Sequence, residues 1–112
     1  MKILLDECVP VQVRNALPRH EVHSATDIQW RGMSNGELIR AAEQQDFDLL
    51  VVADKNMRYQ QDLSERRIAI LELWTNHRPT LEPHSQYISL AVEQMAPGKY
   101  VEMQAPDSSH PQ

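Results

Sequence analysis

Two apolar segments of the sequence end directly on carboxylates, and carboxylates held close together can bind a divalent metal ion. Residues 3–5 run into Asp6 and Glu7, and residues 49–53 run into Asp54. Both segments have the composition of buried β-strands. If the two strands are parallel neighbours, their acids emerge at the same edge of the sheet, where open α/β folds bind ligands. The pattern therefore predicts a metal-binding crevice at this edge.

A third acid, Glu37, lies at the start of a predicted helix. Ser34 stands three residues before it, which is the sequence signature of a capping box. Carboxylates around one point repel one another, so a cluster of Asp6, Glu37 and Asp54 is costly unless a cation is bound among them. Mg²⁺ or Mn²⁺ in such a site can activate a water molecule for attack on a phosphodiester. Taken singly, each acid also fits a solvated residue at the end of a strand or helix.

The elements that would position these acids alternate between strands and helices. This alternation predicts an α/β fold that is a three-layer sandwich with a mainly parallel sheet of four or five strands. The predicted strand order is 2-1-3-4, and any fifth strand is expected beside strand 4. The crossovers are expected to be right-handed. Glu37 is expected near the opposite edge of the sheet, unless the preceding loop carries its turn across. The predicted strands are 2–5, 21–25, 48–53, 67–73 and 100–103, and the predicted helices are 9–17, 34–45, 56–65 and 82–95.

Length and composition bound the class of protein. The 112 residues, 41% of them apolar, suffice for one compact domain, predicted over residues 1–104, with a disordered tail over 105–112. A net charge of −5 argues against a protein that coats nucleic acid, but not against a nuclease whose metal bridges its own acids to a phosphate. With no apolar run near the ~20 residues of a membrane span, no signal peptide and one cysteine, the chain is expected to be cytoplasmic.

Four motifs, taken in order, resemble a known family. They are residues 4–10 (LLDECVP), 20–22 (HEV), 34–38 (SNGEL) and 51–57 (VVADKNM). This ordered set is similar to the short bacterial PIN-like domains that are related to the toxin ribonucleases of toxin–antitoxin pairs. The resemblance covers about residues 2–73.

The resemblance implies a PIN-like fold and a Mg²⁺- or Mn²⁺-dependent endoribonuclease, the toxin component of a toxin–antitoxin pair. Asp6, Glu37 and Asp54 match the catalytic and metal-binding acids of the family. Glu7 is implied either as an additional metal ligand or as a residue that hydrogen-bonds and orients the ligands. Asn56 stands at a metal-binding position where many members have aspartate.

Two asparagines bear on the strength of the predicted site. Asn35 and Asn56 both replace an aspartate of the family pattern, and an amide oxygen can ligate Mg²⁺ but adds no charge, so weaker metal binding is expected. Lys55 and Arg58, which follow the Asp54 motif, are candidate contacts for the phosphates of an RNA substrate, single-stranded or structured. The resemblance also implies a small antitoxin-like partner and a homodimer, without membrane association.

Two alternatives from other classes fit the same residues. In a phosphoreceiver-like signalling module, Asp54 would be the phosphoacceptor, and Asp6 and Glu7 would hold Mg²⁺. No lysine closes a convincing fifth strand for such a module, since Lys99 follows a proline–glycine pair. The other alternative is a catalytically weak PIN-like module that only binds protein, which the two asparagines favour.

Overall fold

A computed structural model gives the fold of the chain and describes residues 1–53 and 67–106. Its strands are β1 (Lys2–Leu5), β2 (Glu21–Ser24), β3 (Leu49–Val52), β4 (Ala69–Glu72) and β5 (Tyr100–Glu102). They form one sheet in the order β2-β1-β3-β4-β5, and every neighbouring pair is parallel. The predicted α/β class, the strand order and the place of the fifth strand are confirmed.

The centre of the sheet is apolar because its strands are buried on both faces. All four side chains of β3 are fully buried, and its leucines and valines suit a strand covered from both sides. β1 lies beside β3, with Leu5 opposite Val51. From this pair the chain continues outward in opposite directions, to β2 on one side and to β4 on the other. The boundary between β1 and β3 is therefore the switch point, where open α/β sheets leave a crevice at the carboxyl ends of the strands.

Different helices cover the two faces of the sheet. On one face, which we call the α1 face, α1 (Asn35–Gln44) packs its apolar side chains against Leu4, Leu50 and Ile70. The other face, which we call the α3 face, is covered by more than one helical segment. These segments are a 3₁₀ helix (Val11–Ala16), α2 (Arg78–Leu81) and α3 (Ser85–Glu93). The two layers and the sheet between them make the predicted three-layer sandwich.

Proline positions explain where the helices differ from the prediction. The first helix is a 3₁₀ helix of six residues rather than a helix over 9–17, since the flanking prolines leave room for only two tight turns. Ahead of α3, in place of a single helix over 82–95, the chain forms α2 and then a 3₁₀ turn (Glu82–His84). Pro79 and Pro83 each lie in the first turn of one of these segments, where the missing N–H is not needed.

The crossover from β4 to β5 has the opposite hand to the other described crossovers. The chain passes from β2 to β3 over the α1 face, and from β4 to β5 in the same direction over the α3 face. The β1-to-β2 crossover runs in the reverse direction over the α3 face, so it shares the hand of the β2-to-β3 crossover. The described crossovers therefore do not share one hand, and the expectation that all of them are right-handed is wrong. The buried side chains Leu81, Ile88 and Val92 hold this connection on the α3 face.

Some predictions fall on residues that the structure does not describe. The predicted helix 56–65 lies outside the described residues, as does most of the predicted tail. The domain boundary at residue 104 and the cytoplasmic location stay predictions. Within residues 1–53 and 67–106, no helix combines the length and the apolar character that a bilayer span requires.

Candidate functional site

Asp6 lies at the carboxyl end of β1. Its backbone N–H donates to the carbonyl of Val51 at 2.9 Å, so the pairing of β1 with β3 extends one residue past Leu5. Its backbone carbonyl accepts the N–H of Val9 at 2.9 Å, which turns the chain toward the 3₁₀ helix. Asp6 is only 8% exposed, and charged side chains are rarely buried without compensation. It is thus a buried acid at the switch point of the sheet.

Glu7 is exposed, and its side chain accepts a hydrogen bond from the loop that follows β2. Its Oε1 accepts the backbone N–H of Gly32 at 2.6 Å. Gly32 has φ +80°, a left-handed conformation that glycine adopts without strain. The carboxylate of Glu7 therefore ties the loop that leads into α1 to the carboxyl end of β1.

Glu37 forms the capping box that its spacing predicts. Ser34 N–H donates to Glu37 Oε1 at 2.9 Å, and Glu37 N–H donates to Ser34 Oγ at 3.2 Å. The hydrogen bonds from the Ser34 backbone and side chain, with a smaller contribution from Arg40, lower the pKa of Glu37 below its ordinary value. Glu37 is thus an exposed carboxylate held in its charged form at neutral pH.

The first turn of α1 lies at the same edge of the sheet as Asp6, and the expectation of the opposite edge is wrong. β2 ends at Ser24, at the carboxyl edge of the sheet. The far end of α1 lies at the amino edge, where Lys2 Nζ donates to the carbonyl of Gln45 at 2.6 Å. A crossover helix must return the chain to the amino edge before a parallel strand can begin, so its first turn starts at the carboxyl edge. Glu37 therefore shares an edge with Asp6 and Glu7.

Four predicted site residues lie outside the described part of the chain: Asp54, Lys55, Asn56 and Arg58. Among the residues that are described, no group of three or more His, Cys, Asp or Glu side chains could hold a metal ion. Asp6, Glu7 and Glu37 therefore share an edge without forming a ligand set by themselves. A metal site here requires a further contribution, for which Asp54 stays the predicted residue.

One further acid, Glu72, lies at the end of β4 and is absent from the candidates predicted from sequence. Its side chain is 1% exposed, and its Oε1 accepts the hydroxyl of Tyr100 at 2.6 Å. The signal was present in the sequence, since Glu72 interrupts the apolar run 68–73, which is predicted to be a strand. An acid inside a strand that is buried on both faces either serves a function or lowers stability, and it should be added to the candidates.

Register places Glu72 in the same row of the sheet as Asp6. Val52 is opposite Glu72, and Leu5 is opposite Val51, so Asp6 and Glu72 stand on either side of Val52. Side chains alternate along a strand, and the residues two positions earlier in all three strands belong to the core of the α1 face. Two buried acids thus flank one strand on the α1 face of the carboxyl edge.

Comparisons of the chain with known proteins gave no match. No family model, no curated protein and no solved structure matches it. The resemblance to PIN-like domains therefore rests on the sequence motifs, and any functional assignment rests on those motifs and on the geometry of the carboxyl edge.

Proposed function

We propose that this chain is a Mg²⁺- or Mn²⁺-dependent endoribonuclease of the PIN-like type. The observation that carries the proposal is Asp6, a carboxylate buried at the switch point of a parallel sheet in the order 2-1-3-4-5. This is the place where open α/β folds bind ligands, and the loop tied by Glu7 brings the first turn of α1 to the same edge.

The donor set at this edge fits a hard divalent cation. It offers carboxylate oxygens and no thiolate pair or histidine cluster among the described residues, and Mg²⁺ and Mn²⁺ prefer oxygen ligands. Asp6, Glu37 and Asp54 would hold the metal, with Asn56 and Glu7 as additional donors. When bound, the metal would supply an activated water and neutralise charge on the scissile phosphate.

The described residues would each contribute a defined property. Asp6 supplies a carboxylate with little access to bulk water. Glu37 stays charged at neutral pH because the Ser34 hydrogen bonds lower its pKa. Lys55 and Arg58 would bind substrate phosphates. The small antitoxin-like partner and the homodimer belong to the same proposal.

One observation favours a second candidate, a phosphoreceiver-like module. The order 2-1-3-4-5 is also that of flavodoxin-like proteins, which include signalling receivers. Against this candidate, Lys99 precedes β5 and therefore lies at the amino edge, away from Asp6. β4 ends on the buried Glu72, and the nearest hydroxyl, Thr75, comes three residues later. Incubation with a small phosphodonor tests the candidate, because a receiver would gain one phosphoryl group that Asp54→Asn abolishes.

The nuclease proposal is tested by cleavage of a labelled single-stranded RNA in Mn²⁺ or in chelator. We expect cleavage only with metal, and a loss in Asp6→Asn and Asp54→Asn at least as large as the ~10–100-fold typical of outer-ligand changes. Asp46→Asn is the matched control. Asp46 is exposed at the end of α1 with φ 63°, and asparagine adopts this left-handed conformation readily.

The results of this experiment distinguish the nuclease from a contaminating activity and from a protein-binding module. Cleavage that persists equally in Asp6→Asn and Asp46→Asn would come from a contaminating nuclease and would remove the support for the site. A folded wild-type chain that binds Mn²⁺ but cleaves no RNA substrate would contradict the enzyme and favour the protein-binding module.

A further inference from the structure

Three aromatic rings meet on the α3 face just beyond the end of β4, and none of them is fully buried. The ring centroid of Trp74 lies 5.8 Å from that of His84 and 5.5 Å from that of Tyr87. Trp74 and His84 are half-buried, and Tyr87 is exposed. The other tryptophan, Trp30, instead contacts Phe47, which is buried. The first three residues, which we call the aromatic cluster, therefore form part of the surface.

The aromatic cluster is held in place by contacts on two sides. Trp74 packs against the core of the α3 face, and the hydroxyl of Tyr87 donates to the carbonyl of Gln104 at 2.7 Å. The ring planes of Trp74 and Tyr87 are inclined by 49°, and those of Trp74 and His84 by 74°. Neither neighbour is thus stacked parallel on the indole. The cluster presents a fixed aromatic ring on which a planar ligand can stack.

The segment around Trp74 is basic, although the protein as a whole is acidic. Residues 73–81 contain no Asp or Glu and include Arg78, whereas the chain has a net charge of −5. Arg78 Nε donates to Glu82 Oε2 at 2.9 Å, and both side chains are more than half exposed. An exposed ion pair adds little stability, so Arg78 can bind a phosphate instead without a large loss. An aromatic ring near a cation suits a nucleotide.

Hydrogen bonds to β3 fix where the cluster lies relative to Asp6. The backbone N–H of Asp6 donates to the carbonyl of Val51, and that of Leu73 donates to the carbonyl of Val52 at 2.8 Å. Trp74 is the next residue, so it lies at the same edge as Asp6, on the other side of β3. The usual strand spacing and rise put the Cα atoms of Asp6 and Trp74 roughly 12 Å apart. A nucleic-acid strand that reaches both residues would cross the carboxyl edge.

We propose that the aromatic cluster stacks a nucleobase of single-stranded RNA beside the proposed cleavage site, with Trp74 as the ring that the base contacts. This inference rests on the proposed ribonuclease and adds how the bases of its substrate are held. Stacking on an aromatic ring tolerates any sequence, because every base has a π face. It requires unpaired bases, so the substrate class is single-stranded rather than duplex RNA.

The test measures binding of a short, fluorescein-labelled oligouridylate RNA by fluorescence anisotropy, in chelator so that metal-dependent cleavage does not interfere. We expect Trp74→Leu to weaken binding by about 5–150-fold, the range for loss of one stacked base. Trp74→Phe keeps a ring and should weaken binding less. Trp30→Leu is the matched control, since Trp30 is also half-buried but packs on the α1 face, and it should bind as wild type does.

A second measurement separates stacking from a role in folding. Trp30→Phe leaves Trp74 as the only tryptophan, and a base stacked on its ring should quench its emission when the oligouridylate is added. A lower melting temperature of Trp74→Leu with unchanged RNA affinity would identify a packing residue and overturn the proposal. If Trp74→Leu does not fold, the affinity of Trp74→Phe and the quenching in Trp30→Phe still decide the question.

The two proposals can fail separately. If the wild type binds the oligouridylate with quenching of Trp74 but cleaves no RNA in Mn²⁺, the stacking site stands and the nuclease is wrong. If RNA is cleaved and Asp6→Asn abolishes cleavage while Trp74→Leu binds as wild type does, the nuclease stands and the stacking site is wrong. A wild type that binds no oligouridylate, or that binds duplex RNA with equal affinity and quenching, would also overturn the stacking site.

Discussion

The acids at the two edges of the sheet have different environments. At the amino edge, Asp48 Oδ2 accepts the backbone N–H of Lys2 at 2.8 Å, and Glu43 Oε2 accepts the backbone N–H groups of Arg67 and Ile68. At the carboxyl edge, by contrast, Asp6 and Glu72 are buried beside apolar side chains.

The direction of the strands explains the difference. The amino ends of parallel strands present backbone N–H groups that lack a strand partner, and a carboxylate is a good acceptor for them. The carboxyl ends present carbonyl oxygens, which repel a carboxylate. An acid at the amino edge therefore stabilises the start of a strand, whereas an acid at the carboxyl edge meets more negative charge. Compensation there has to come from a cation or from a donor outside the sheet, as Tyr100 is for Glu72.

The largest effect that should separate the edges is stabilisation by metal. At a Mn²⁺ concentration 100-fold above Kd, binding to the folded state adds about 2.7 kcal/mol to the free energy of unfolding. We expect the melting temperature of the wild type to rise in Mn²⁺, and we expect Asp6→Asn to lose that rise. Thermal melts in Mn²⁺ and in chelator measure it.

The matched control is Asp48→Asn at the amino edge. Its carboxylate binds a backbone N–H, so the variant should lose some stability but keep the full Mn²⁺ response. If Asp6→Asn and Asp48→Asn lost the Mn²⁺ response equally, the two edges would not differ in metal binding, and the contrast drawn between them would be wrong.

Much of the fold could be predicted because most of its elements depend on residues that lie close together in the sequence. The apolar run of β3, the Ser34–Glu37 spacing and the short connections predict the elements, and the requirement that Asp6 and Asp54 be neighbours predicts the strand order. The 3₁₀ form of the first helix depends on how closely the two flanking prolines enclose the segment. The different hand of the β4-to-β5 crossover depends on the packing of α3 against the sheet, which no local pattern encodes.

The site was predicted less completely, for physical reasons that differ from residue to residue. Asp6 follows its strand directly, so sequence locates it. Glu37 was expected at the opposite edge, although the direction in which a crossover helix runs follows from the topology alone. Glu72 was missed because an apolar run was treated as uniform, and its partner Tyr100 is 28 residues away in sequence. Only the register of β3, β4 and β5 brings these side chains together.

The next largest effect concerns stability at the amino edge. Glu43→Ala leaves the N–H groups of Arg67 and Ile68 without their acceptor, and Ile68 is buried, so water replaces the carboxylate poorly. We expect the free energy of unfolding to fall by about 1–3 kcal/mol. Urea denaturation measures this, and Mn²⁺ affinity should stay unchanged. Glu43→Gln retains an acceptor oxygen and should lose less. If glutamine and alanine cost the same, the backbone contacts do not explain the role of Glu43.

Glu7 allows a smaller test, because it is a carboxyl-edge acid that accepts a backbone N–H as the amino-edge acids do. Glu7→Ala removes the acceptor of Gly32 N–H, and because the contact is exposed we expect a loss of about 0.5–1.5 kcal/mol in urea denaturation. Glu7→Gln should restore most of the loss. If Glu7 were a metal ligand, Glu7→Gln would weaken Mn²⁺ binding, since glutamine removes the charge. If Glu7→Gln weakens Mn²⁺ binding as much as Glu7→Ala does, Glu7 is one of the additional metal donors; if both variants bind Mn²⁺ as wild type does, its role is confined to the loop.

The smallest expected effect is the pH dependence of the capping box. The hydrogen bonds from Ser34 lower the pKa of Glu37, so the folded state favours the charged carboxylate. A lowered pKa adds stability above the ordinary glutamate value of ~4.3, and this contribution disappears as pH falls through the lowered pKa. Wild type should therefore exceed Glu37→Gln in melting temperature at neutral pH and lose that advantage in acid. Glutamine can still accept the Ser34 N–H, so the difference isolates the charge. Asp46→Asn corrects for the general loss of one negative charge, and an advantage that stays constant into acid would mean that the charge of Glu37 does not stabilise the start of α1.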